Sequence, residues 1–175
     1  MSNGKDTVPG AERWFSSVDL NGAPDAAVRV IRELVRMLDQ VQPQLLDPGR
    51  CRVRSSDPGR RPRDRTVEIA LAHLTEPDSD VSVVVDSDGA VVYWLGAHEH
   101  VDASDDAARR PWTTVVVDVA HSVLRGEYAV ENHYRGNLLV RMKIIDTADP
   151  NGPRVVEDQR IVAYGVDTVA ADVTY

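Results

Sequence analysis

His98-Glu99-His100 is the tightest grouping of side chains in this sequence that could do chemistry. In an extended segment, alternation turns both imidazoles to one side, where they could share a divalent metal or help to hold a small molecule. A third metal ligand would have to come from Asp102, His73 or His133, and no spacing in the chain gathers these. The zinc-protease pattern, with histidines four apart on a helix, is absent, so no metal and no cofactor is assigned. Asp86-Ser87-Asp88-Gly89 opens like a calcium loop, but Ala90-Val91-Val92-Tyr93 brings neither oxygen ligands nor a closing Glu, and the segment reads as a hairpin turn.

Cys51 is the only cysteine, which excludes an intramolecular disulfide and a multi-cysteine metal site. Arg50 and Arg52 beside it could lower its thiol pKa, yet nothing else nearby resembles a nucleophile's surroundings, and an inert thiol is expected. Dinucleotide, phosphate-loop and nucleophile-elbow motifs are all missing. No catalytic residue is assigned, and a non-enzymatic protein is the expectation.

Charge is the more informative feature. The formal net charge of −8 hides a segregation. Arg50, Arg52, Arg54, Arg60, Arg61, Arg63 and Arg65 stand against only Asp57 and Asp64, a local balance of +5 that leaves −13 elsewhere. Residues 66–108 contain no Lys or Arg, whereas Glu68, Glu76, Asp78, Asp80, Asp86, Asp88, Glu99, Asp102, Asp105 and Asp106 supply ten carboxylates. A surface of one sign speeds encounter with partners of the other and repels nucleic acid and anionic membranes. Acidity of this order also serves solubility alone. The partner-binding site is assigned to Glu76, Asp78, Asp80, Asp86, Asp88, Glu99, Asp102, Asp105 and Asp106, and the partner to a basic protein. Nucleic acid is disfavoured, because residues 50–65 include no aromatic to stack on bases and adjoin the acidic run. The arginines are expected to be solvated or to pair with the acidic face.

These residues must be positioned by ordinary elements. Ala27, Val30, Ile31, Leu34, Leu38 and Val41 recur at helical spacing after Pro24, and Pro43 ends the run. Residues 51–54 suit a short edge strand. Residues 66–74, 81–86 and 90–95 are rich in β-branched or aromatic types and predict a meander, with Ser87-Asp88-Gly89 as a turn. Trp112, Val115, Val116, Val119, Ala120 and Val123 share a helical face closed by Gly126, which leaves His121 on the solvent side. Alternation then predicts a hairpin over 128–144 turning at Gly136-Asn137, and a last strand over 155–164. The fold class expected is α+β, with a single mainly antiparallel sheet of about six strands and two helices packed on it. Residues 1–23 are expected to form a partly flexible arm, 24–165 a single domain and 166–175 a tail. No apolar run approaches the ~20 residues of a bilayer crossing, and residues 1–23 lack a signal's apolar stretch, so a cytoplasmic protein is expected.

Gly96-Ala97-His98-Glu99-His100, then a helix ending Leu124-Arg125-Gly126-Glu127, then Tyr134-Arg135-Gly136 in a hairpin, resembles small bacterial immunity proteins of polymorphic toxin systems. The resemblance spans residues 80–146 and implies an inhibitor that binds and caps a basic toxin domain. The competing expectation is a small metal-dependent enzyme or small-molecule-binding domain using His98, Glu99 and His100.

Overall fold

The computed structural model describes residues 7–40, 45–56, 65–75, 80–94, 96–104, 110–164 and 168–173. These divide into two compact units, Met1–Arg125 and Gly126–Tyr175.

In the first unit, Asp25 in the first turn favours the helix α1 (Asp25–Gln40), since a carboxylate there meets the positive end of the helix dipole. Ala27, Val30, Ile31, Leu34 and Leu38 are buried, joined by Ala26 and Val35, while Arg29, Arg32 and Arg36 point to solvent. Val41 and Pro43, at the expected end of this helix, lie outside the described residues. The second helix, α2 (Trp112–Leu124), buries Trp112, Val116, Val119, Ala120 and Val123 as the spacing predicts. Val115 is only half-buried, whereas Thr113, Val117 and Leu124 are buried as well, so the apolar surface wraps most of the girth. A helix of that kind needs cover on several sides. Its neighbours are α1 and the strands β4 (Val81–Val85), β5 (Gly89–Trp94) and β6 (Ala97–Asp102). That burial is what turns Val115-Val116-Val117 into helix against its β preference.

The segment ahead of α1 belongs to this core. Val8, Ala11, Phe15 and Leu20 are buried, and β1 (Ser17–Val18) pairs in parallel with β2 (Arg52–Ser55). Arg13 and the Trp14 indole each donate to the Asp39 carboxylate of α1, at 2.9 and 2.8 Å. From β2 the order β2-β3-β4-β5-β6, with β3 spanning Val67–Leu71, is antiparallel throughout. Val53, Val67, Ile69, Leu71, Val81, Val83, Val85, Val92 and Trp94 all face the buried side. Each such side chain contributes roughly 1.5–3 kcal/mol when fully buried.

The second unit is a four-stranded antiparallel sheet, in the order β10 (Thr168–Val173), β9 (Arg154–Tyr164), β8 (Leu138–Asp146), β7 (Tyr128–Arg135). Gly136, at φ +63°, makes the expected turn of the β7–β8 hairpin. One side of this hairpin carries Glu131, His133, Arg141 and Lys143, and the other carries Val130 with buried Met142 and Ile144.

The chain is therefore α+β and mainly antiparallel, but the expected single sheet is two, of six and four strands. Alternation specifies that a segment is a strand and which side turns inward, not which strand lies beside it. Among the described residues β6 ends the first sheet and β7 pairs only with β8. β10 falls within the residues read as a C-terminal tail, and β2 lies one strand in from the edge because β1 flanks it.

Candidate functional site

The helices cover one face of the six-stranded sheet, so the residues between the buried ones line the other face. The register sets them in two rows. Arg52, Ala70, Ser82, Tyr93 and His98 form one, and Arg54, Glu68, Val84, Val91 and His100 form the next. The first row floors a groove of about 500 Å³ that Arg50 and Asp80 also line. Ala70 and Ser82 are small and half-buried, so the floor is low between a guanidinium at one end and rings at the other. Tyr93, His98 and His100 run together as a strip. The centroids of Tyr93 and His98 are 5.9 Å apart, and those of His98 and His100 are 5.2 Å apart in an edge-to-face arrangement.

The two ends of the sheet differ in charge. At the groove end Asp80 accepts from the Arg50 guanidinium at 3.0 Å and from the His73 backbone N–H at 2.7 Å. Arg50 also reaches the His73 carbonyl at 3.5 Å. The arginine segment thus pairs with the acidic stretch at this point, and Asp80 is neutralised there. At the far end Asp86 Oδ1 accepts the N–H groups of Asp88 and Gly89, at 2.7 and 2.9 Å, and closes the β4–β5 turn. The Ala103 N–H donates to the Asp88 carbonyl at 2.8 Å, and Asp102 lies opposite Gly89. Asp86, Asp88 and Asp102 therefore converge on one corner, where none of them makes an ion pair with a described residue.

Of the other residues assigned to partner binding, Glu99 is exposed on β6 but opposite Val92, on the helix-covered side of the sheet. Glu76, Asp78, Asp105 and Asp106 lie outside the described residues, as do Arg60, Arg61 and Arg63. The acidic residues so far placed occupy both faces and both ends, with a single corner where three gather. Ser82 and Tyr93 were not singled out as site residues in the sequence, and Arg52 only as a member of the arginine run and a neighbour of Cys51. The signal that finds them is the polar or solvent-side position of each strand pattern, Val81-Ser82-Val83 and Val92-Tyr93-Trp94, once the register is known.

His98 and His100 do share a side, as an extended segment requires. His73 is instead held beside Asp80, with its Nδ1 accepting from the Thr75 N–H at 3.3 Å. His133 belongs to the second unit, where its Nε2 lies 3.0 Å from Glu131. Among the described residues no group of three or more His, Cys, Asp or Glu is placed to hold a metal ion. His121 is half-buried rather than solvated. Cys51 is buried, its Sγ receiving the Ala72 N–H at 3.2 Å. Burial pushes its thiol pKa up and outweighs the Ala72 hydrogen bond and the Arg50 charge, which act the other way.

Searches against protein-family models, curated proteins and solved structures found no match to this chain. No helix among the described residues is long and apolar enough to cross a membrane.

Proposed function

We propose that this chain is a non-enzymatic acidic binding protein that receives a basic partner at the corner formed by Asp86, Asp88 and Asp102. The observation that carries this reading is the convergence of three carboxylates on a turn fixed by hydrogen bonds from its backbone N–H groups, two of them to Asp86 Oδ1, without a described cation among them. Such a corner is preorganised, so a guanidinium or ammonium docking there orders little new structure. Asp80 takes no part, because Arg50 already satisfies it. Asp105 and Asp106 follow closely in sequence and extend the acidic run. The resemblance to immunity proteins of polymorphic toxin systems supplies the partner class, a basic toxin domain that the protein would inhibit by covering it.

The test is affinity purification of the chain from its native host, followed by titration of any basic partner recovered. The reading expects binding that weakens steeply with salt, and a loss of about tenfold in affinity for the Asp88→Asn, Asp102→Asn double variant at low ionic strength. Recovery of no basic partner, or unchanged affinity in that variant, overturns it.

A further inference from the structure

We propose that the groove on the uncovered face of the first sheet is a binding site for a small aromatic carboxylate. Its volume, about 500 Å³, is that of an ordinary small-molecule site. Among the described residues that line it, the charge is unbalanced. Arg50 and Asp80 cancel one another, whereas Arg52 is exposed and makes no hydrogen bond or ion pair with any described residue. A planar guanidinium left open in this way is suited to a bidentate carboxylate.

The opposite wall fixes the rest of the ligand. Tyr93 is 44% exposed and its ring stands beside that of His98, with His100 behind, so a flat ring has aromatic faces and edges to lie against. Between the two walls Ala70 and Ser82 keep the floor low, and the Ser82 hydroxyl offers one polar contact along it. From β2 to β5 the sheet spans about 14 Å at the usual spacing of strands. That span leaves room for a bicyclic ring bearing one carboxylate. A phosphate alone would meet Arg52 but leave the ring wall bare, and a neutral aromatic would leave the guanidinium unmatched. This site shares no residue with the acidic corner, so either proposal can fail without the other.

Titration of the full chain with indole-3-acetate, followed by backbone amide NMR, tests it. Shifts are expected at Ala70, Ser82, Tyr93 and His98. Indole-3-acetamide should bind about tenfold more weakly, as loss of a charged hydrogen-bond partner requires. Arg52→Met and Tyr93→Ala should each weaken the acid by a similar factor, while Arg54→Met, in the neighbouring row outside the groove, should not. Absence of shifts at these residues, equal affinity for acid and amide, or indifference to Arg52→Met overturns the proposal.

Discussion

A buried thiol with a raised pKa is protonated at neutral pH and therefore a poor nucleophile. Cys51 in the native protein should resist alkylation by iodoacetamide over hours and react within minutes in denaturant; rapid modification of the folded chain would contradict the placement. Gly89 illustrates a different constraint. A Cβ there would stand 2.4 Å from the Val101 carbonyl oxygen, so even alanine forces β5 and β6 apart. Gly89→Ala should cost about 1–3 kcal/mol in denaturant unfolding. In the second unit Arg141 donates to Asp158, with one contact at 2.6 Å, and this hydrogen bond is the main cause holding the Asp158 carboxyl below its usual value. A carboxylate whose pKa is depressed by folding adds stability that is present above its unfolded pKa and lost as pH falls through the folded one. Asp158 should accordingly titrate at lower pH than an unfolded-chain aspartate in carboxyl NMR, and Arg141→Gln should return it to the ordinary range.

At the level of elements, α1 depends on its inward side. Leu34 is fully buried, and Leu34→Ala should cost roughly 2–5 kcal/mol, read by calorimetry. Such elements were legible because their apolar periodicity is strong: α1, α2, β3, β4, β5 and the β7–β8 hairpin all follow from spacing and turn residues. β6 was not legible as a strand of its own, since Ala97-His98-Glu99-His100-Val101-Asp102 has three polar residues in succession and draws its extended form from pairing with β5. β1 has two residues and no local signal at all. The site suffered more. A list of carboxylates read along the chain carries no information about faces, so it could not separate Asp80, held by Arg50, from Asp88 and Asp102 at the other end of the sheet. Nor could it find Arg52 in one row with Tyr93, a relation created by three successive strand registers.

At the level of the whole molecule, the first unit carries an apolar core of its own. Among the residues whose side-chain burial is described, the buried apolar ones of Met1–Arg125 include Ile31, Leu34, Leu38, Ile69, Leu71 and Trp112, and those of Gly126–Tyr175 are Met142 and Ile144. The first unit has the helices, the six-stranded sheet and the contacts of residues 7–23 with them. A fragment ending at Arg125 should fold cooperatively, with a sharp calorimetric transition; a broad or absent transition would show that the core needs the second sheet.

Trp14, Trp94 and Trp112 all lie in that first unit, two of them buried and Trp14 hydrogen-bonded to α1, whereas Gly126–Tyr175 contains tyrosine but no tryptophan. Nature has thus placed an optical label on one half of the chain. Indole emission during unfolding will follow the helix-backed sheet alone, far-ultraviolet ellipticity will sum over both halves, and any gap between the two curves measures how independently the halves melt.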